Sequence, residues 1–206
     1  HNVNILKIPV DFPFKRKFLN WLKQRFIASL ASNTDGWIVQ TSNTEACLRE
    51  ALPYKGKLLL LLPFYHIPEC FKKQKDNKVG RDGYILVGDY TGTRGHEELL
   101  GAMQILKQKG LIPRLHLTVS KDNPFVREIV QAIGEGIRIE NHGIMPFVQL
   151  AEVYGQCKAT VYPSINESLG LGLIEAVEAG CDVIVSDLPF AHAICTVSYT
   201  HLRAHE

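Results

Sequence analysis

The chain has 206 residues, 46% hydrophobic and 21% charged, with a formal net charge of +2. That length and balance fit one large or two small globular domains, and they exclude a strong global pull toward nucleic acid. The five cysteines, Cys47, Cys70, Cys157, Cys181 and Cys195, are odd in number and widely spaced, and none forms a CxxC pair. They read as reduced, buried thiols of a cytoplasmic protein, not as a disulfide framework or a zinc site.

The first residue is His1, not Met, which suggests a start inside a longer reading frame. No signal peptide opens the chain, and the longest apolar run, Leu58 to Pro63, has the length of a buried strand. Phe18, Leu19, Leu22, Phe26 and Leu30 recur at helical spacing, and the basic run 15–17 beside them reads as a solvated face. Residues 36–40 read as a strand. Ser42 and Glu45 form the capping-box pattern of a helix that reaches about Leu52. Residues 57–62 form the next strand, stopped by Pro63. The polar stretch 66–80 has no apolar period and reads as a linker between domains.

A second series starts with a strand over 84–88. Leu99, Ala102, Met103 and Leu106 mark a helix ending near Gly110. A strand over 115–119 follows, then a helix over 125–133 with Asn123 as cap and Pro124 at its first position. Strand 137–140, helix 147–154, strand 159–162, helix 171–179 and strand 183–186 complete the alternation. Strands joined by helical crossovers predict an α/β fold with a parallel sheet covered on both faces. His116 lies within a strand between two leucines and reads as an outward, structural residue. Residues 196–206 show no periodicity. Their string resembles a translated sequencing adapter, so the natural sequence is expected to end near Cys195.

The stretch with chemistry in it runs from Tyr162-Pro163-Ser164 through Asn166-Glu167-Ser168-Leu169-Gly170-Leu171-Gly172 to Glu175. It leaves a buried strand and enters a helix. In open α/β sheets, ligands sit at the carboxyl ends of strands, and a helix start there supplies free N–H groups and positive potential for an anion. Gly170 and Gly172 are expected to clear space for a phosphate. Glu167 and Glu175 flank the anion site. A carboxylate there accepts from paired hydroxyls, as on a sugar or a ribose, and must stay beside the phosphate without touching it.

Glu-x7-Glu after Tyr-Pro-Ser, with the upstream loop Val87-Gly88-Asp89-Tyr90-Thr91-Gly92-Thr93-Arg94-Gly95-His96-Glu97-Glu98-Leu99-Leu100, resembles the retaining glycosyltransferases of family four, the glycosyl transferases group 1. The resemblance covers about residues 33–195. It implies a GT-B architecture, truncated at both ends: 1–65 as the end of an acceptor domain, 66–80 as linker, 81–195 as an incomplete donor-binding domain, and 196–206 as a non-native tail. It implies transfer of a hexose from a UDP- or GDP-sugar to a glycan or lipid-linked acceptor, with retention. The acceptor would lie in the interdomain cleft, and the place would be the cytoplasm or the inner face of the membrane. The polypeptide as it stands is expected not to turn over.

By the same resemblance Glu167 faces the donor sugar as the catalytic carboxylate. Arg94, Ser168, Leu169, Gly170 and Leu171 hold the diphosphate, and Glu175 holds the ribose. Asp89 stands where the family carries an arginine, so one positive charge is missing. No metal or other cofactor is expected, and no metal-ligand spacing is visible. Plainer alternatives accompany each residue. Glu175 could be a solvent-exposed helix glutamate, Glu167 a helix cap, Gly170 a turn glycine, Arg94 an ion-pair partner of Glu97 or Glu98. His96, His192 and Asn166 could pack or fill loops, and Glu178 reads as surface. A nucleotide-sugar-binding module without transfer activity is the competing function. An epimerase or a phosphorylase ranks below it, since no lysine has the context a pyridoxal phosphate would need.

Overall fold

The computed structural model describes residues 3–10, 12–52, 58–61, 65–75 and 80–198. Lys57, Leu62 and Pro63, residues 76–79 of the expected linker and residues 199–206 of the expected tail lie outside the described residues. In chain order the elements are α1 (Val3–Leu6), α2 (Phe14–Leu30), β1 (Gly36–Val39), α3 (Ser42–Ala51), β2 (Leu58–Leu61) and α4 (Glu69–Lys72). They continue with β3 (Tyr84–Leu86), α5 (His96–Gln108), β4 (Leu115–Leu117), α6 (Val126–Gly134) and β5 (Ile139–Asn141). The last are α7 (Phe147–Gln156), β6 (Ala159–Tyr162), α8 (Leu171–Glu178), β7 (Asp182–Val185) and α9 (Pro189–Ser198). No helix among the described residues is long and apolar enough to cross a membrane.

The elements fall into two compact units. The first holds His1–Tyr65, Asn166–Gly170 and Asp187–Glu206. Its β1 and β2 pair in parallel, from Gly36↔Leu58 to Val39↔Leu61. Val39, Leu48 and Leu52 form its buried centre, with Ile27, Trp37 and Leu59 packed around them, and α9 lies against α3. The cap of α3 is Thr41, not Ser42. Thr41 has the extended backbone a cap requires (φ −137, ψ 155), and its hydroxyl accepts the Thr44 amide at 3.2 Å. Glu45 turns instead to Arg49, 2.8 Å away. Helix α9 runs through Ser198, so residues 196–198, set apart in sequence for their lack of periodicity, are helical.

The second unit, His66–Ile165 and Leu171–Ser186, is the larger. Its five strands are all parallel in the order β5-β4-β3-β6-β7. Alternation along β3 sends Leu86 to one face and Ile85 to the other. Leu86 joins Leu99, Met103, Phe125 and Ile129, the layer of α5 and α6. Ile85 joins Leu150, Tyr154 and Ala176, the layer of α7 and α8. The sheet is therefore covered on both faces, as the strand–helix alternation predicts. Asn123 is not the cap of α6, which is Phe125, two residues on: its side-chain oxygen accepts the Phe125 amide at 3.0 Å and sets up the turn ahead of α6.

Two sequence expectations fail here. The stretch 66–80 is not all linker: α4 lies within it, and Phe71 is completely buried among α7 and α8 residues, edge-on to Phe147 and Tyr154. One aromatic among lysines leaves no periodic signal, yet a single large ring suffices to dock a short helix. His116 is likewise not outward but 1% exposed, because a sheet covered on both sides has no solvent face. Replacing Phe71 with alanine is expected to destabilise the second unit by about 3–5 kcal/mol, read from the urea midpoint. A linker residue would leave the midpoint unmoved.

Candidate functional site

In the second unit the chain enters the sheet at β3, winds outward through β4 to β5, then returns to the other side of β3 as β6 and β7. The order reverses between β3 and β6. In open α/β sheets the carboxyl end of the strands at such a reversal is where ligands bind. The loops after β3 and β6 are tied to each other: the Ile165 amide donates to the Thr93 carbonyl at 2.9 Å. Gly95 makes the approach possible. It has φ +72, and a Cβ on it would lie 2.5 Å from the Pro163 carbonyl oxygen.

The loop after β3 is held at every turn. The Gly88 amide donates to the Thr118 hydroxyl at 2.8 Å. Asp89 accepts three hydrogen bonds on one carboxylate oxygen: from the Tyr90 amide (3.1 Å), the Ser120 amide (3.1 Å) and the Asn123 side-chain amide (2.8 Å). Asp89 is thus a fastener between the loops after β3 and β4. Tyr90 stacks on Phe125 at 4.3 Å and donates to Glu97 at 2.7 Å. That hydrogen bond, with burial, pushes the Tyr90 phenol up to about 12.

Arg94 is half-buried, and its guanidinium folds back along its own loop. Nη1 donates to the Val87 carbonyl at 3.3 Å, and a side chain at Gly88 would overlap it. His96, the first residue of α5, is 2% exposed. Its Nε2 bonds the Gly88 carbonyl at 3.2 Å, so that nitrogen carries the proton, and its Nδ1 has no hydrogen-bond partner among the described residues. Burial, helped by the Arg94 charge, pushes its pKa down to about 4.

Helix α8 starts beside the same strand end. Gly172 packs its bare Cα toward Val87, Tyr162 and Tyr154, with room for an ordinary contact at 3.5–3.6 Å. It therefore serves helix–sheet packing and not the ligand clearance expected of it, because its missing side chain points into the sheet. Gly170 has φ +66, the turn geometry expected of a glycine before a helix. Buried Tyr154 donates to the Gly172 carbonyl at 2.9 Å and pins the first turn of α8. Glu175, one turn further, is 4% exposed. The solvent-exposed alternative for Glu175 is thereby overturned: a carboxylate buried at a helix start belongs to a site or to a fixed network.

Of the residues expected to bind a ligand, Arg94, Leu171 and Glu175 lie in the second unit, Arg94 on the loop after β3 with its guanidinium on the Val87 carbonyl, and Leu171 and Glu175 on α8. Glu167, Ser168, Leu169 and Gly170 group with the first unit instead. There the Ser168 carbonyl accepts from the Thr41 and Thr44 hydroxyls at 2.9 and 3.3 Å, and Asn166 donates to Asn4 at 3.0 Å. His192 pairs with Asp187 at 2.5 Å. Glu178 is half-buried. Cys47, Cys70, Cys157 and Cys181 are free thiols. Burial pushes Cys157 up to about 12 and Cys181 up to about 11, which leaves them protonated and unreactive. Sequence reasoning missed Tyr154 and Thr118 as supports of the site. It missed, too, a group of side chains placed so that they could hold a metal ion, His116, Glu140 and His142. The spacing of that group is invisible in sequence because parallel pairing brings its members together.

His96 makes stability depend on pH in a stated direction. The unfolded histidine takes its proton near pH 6.5 and the folded one near 4. Between those values the unfolded chain binds more protons. Stability is full above about pH 6.5 and falls as the pH drops toward 4, by on the order of 3 kcal/mol. Urea midpoints against pH should show this limb, and His96→Gln should flatten it. Gly95→Ala is expected to cost about 1–3 kcal/mol at any pH, from the positive φ and the clash with Pro163.

Three comparisons place this geometry among known proteins. The family described as Glycosyl transferases group 1 matches residues 69–198. A stretch of 50 residues is 44% identical to the O-antigen chain mannosyltransferase RfbU of Salmonella typhimurium, covering 24% of this chain and 14% of that protein. Among solved structures, sucrose-phosphate synthase from Thermosynechococcus elongatus aligns with a TM-score of 0.67 at 23% identity, over 91% of this chain and 49% of the other. Anabaena HepE, solved with UDP and glucose, aligns with a TM-score of 0.66 at 17% identity, over 92% and 52%. The pneumococcal O-GlcNAc transferase GtfA, solved with UDP and GlcNAc, gives 0.62 at 21% identity, over 81% and 33%. At these identities the structures establish a shared GT-B-type fold, and the chain spans half or less of two of them and about half of the third. With the family match covering well over half of the sequence, the chain belongs to the glycosyl transferases group 1 family.

Proposed function

We propose that the whole protein transfers a hexose from a nucleotide diphosphate sugar to a glycan or lipid-linked acceptor, with retention at the anomeric carbon. The single observation behind this reading is the convergence on Val87. A guanidinium and a helix start both meet that residue, at the end of the strand where the sheet order reverses. Positive charge and free amides together suit a diphosphate. In this reading the amides of Ser168, Leu169, Gly170 and Leu171, with Arg94, carry the leaving diphosphate as its charge develops. Glu175 accepts from the ribose hydroxyls, and Glu167 faces the donor sugar. Cation and amides do the work of neutralisation, so the donor site needs no metal.

RfbU is a mannosyltransferase of O-antigen, which makes mannose the first hexose to test and a surface polysaccharide the first acceptor class. A lipid-linked acceptor would put the protein at the inner face of the membrane. Helix α2 supports that placement: Phe14, Phe18 and Trp21 are exposed beside Lys15, Arg16 and Lys17. Asp89 favours a second reading. A carboxylate where the family carries arginine weakens diphosphate binding, which fits a nucleotide-sugar-binding module without transfer.

Calorimetric titration with UDP, GDP and their hexose conjugates is expected to find one preferred base. Glu175→Gln should weaken binding by about 1.5–3 kcal/mol, the worth of hydrogen bonds to a charged acceptor. Arg94→Ala should weaken a diphosphate more than the nucleoside monophosphate. Mg2+ or Mn2+ should leave affinity unchanged. If neither substitution alters binding, the site is elsewhere. Donor binding without product from a radiolabelled donor, in a chain of the relatives' full length, would favour the module over the enzyme.

A further inference from the structure

A second cluster in the second unit lies apart from the site just described, toward the β5 edge of the sheet. His116 and Glu140 are register partners on the parallel strands β4 and β5. Side chains at paired positions of a parallel ladder share a face, and His142, two residues beyond Glu140, returns to that face. The three side chains are thus delivered to one spot by strand geometry, although 24 residues of chain separate the first two.

The distances match a single small cation. One ligand atom from each residue lies within 4.8 Å of the others. His116 Nδ1 and His142 Nε2 are 2.9 Å apart, and His116 Nδ1 is 3.7 Å from a Glu140 oxygen. Zinc bonds of about 2.0–2.1 Å in tetrahedral geometry set neighbouring ligands about 3.3 Å apart. The two observed spacings bracket that value. One ring–ring hydrogen bond satisfies the 2.9 Å contact, but Glu140 stands beyond hydrogen-bonding reach of either ring, at 3.7 and 3.9 Å. A cation among the three would satisfy all of them at once.

We infer that His116, Glu140 and His142 form a divalent transition-metal site, of the zinc class, that staples edge strand β5 to β4. Two imidazoles and one carboxylate select zinc, cobalt, nickel or copper over magnesium and calcium. The side chains grade from 1% exposed at His116 through 18% at His142 to 58% at Glu140, which gives the metal a solvent route in. With Nδ1 on the metal, the proton of His116 sits on Nε2, which is buried with no hydrogen-bond partner among the described residues. A missing outer partner lowers metal affinity roughly 10–100-fold, so binding in the micromolar range is expected, with a structural role and no part in donor binding.

The test uses the chain after treatment with a chelator. Titration with Co2+ should give tetrahedral visible bands that saturate at one equivalent and disappear on adding Zn2+. Zn2+ should raise the melting temperature by several degrees, reversed by EDTA. His142→Ala should abolish both signals while the far-ultraviolet circular dichroism stays unchanged. Glu140→Gln should weaken Co2+ binding at least tenfold. Because Glu140 is largely exposed, its substitution decides the matter should His142→Ala fail to fold. Other histidines, including His1, His201 and His205, are present in every variant, so bands or a thermal shift that survive these substitutions overturn the proposal. So does a chain in which Zn2+ produces no shift and Co2+ no visible bands.

Discussion

The reversal of strand order at β3 is the constraint from which the rest of the second unit follows. Chain that winds to one side of β3 and then to the other leaves the loops after β3 and β6 side by side at the carboxyl end of the sheet. What stands there is decided by Val87. Its carbonyl holds the Arg94 guanidinium, and its side chain receives the bare face of Gly172. The Arg94 charge is therefore held on a backbone carbonyl, and the helix start by the approach of Gly172 to the same residue.

That rigidity has a chemical consequence. Asp89 spends its carboxylate on two backbone amides and Asn123. The negative charge is met by three donors and drawn toward the loop after β4, so it is partly neutralised before any ligand arrives. His96 fills the space behind the loop as a neutral ring, kept so by burial. Arg94 is left as the cation of this loop.

Burial on both faces also explains the chain's unexpected polar chemistry. An all-parallel sheet covered by helices has no solvent side on which to put a histidine. His116 is consequently forced against another polar group, and the parallel register supplies Glu140 and, two residues on, His142. Phe71 illustrates the same pressure from the apolar side: the α7–α8 layer needs one more ring, and the short α4 provides it from a stretch that reads as polar.

Much of the architecture was legible from sequence, since periodicity is a local property. Strands and helices from Tyr84 onward carry alternating or 3.6-residue patterns long enough to read, and the parallel, doubly covered sheet follows from their order. The glycine-containing stretch after β6 and the paired glutamates were legible too, as a motif, together with the family to which they belong. Local pattern could not decide which side of a strand a lone histidine takes, where an isolated phenylalanine docks, or whether Gly172 clears space for a ligand or for the sheet. It could not show that Ser168 hydrogen-bonds Thr41 and Thr44, more than 120 residues away in the chain. Those outcomes depend on which residues meet across long loops, and packing decides that only after the strands have taken their places. Composition, periodicity and motif thus determined the alternating strands and helices from Tyr84 to about Ser186, their order and the family. Only the tertiary structure determined the burial of Glu175, the anchoring of Arg94 and Asp89, and the meeting of His116 with Glu140 and His142, because each rests on contacts between segments far apart in sequence.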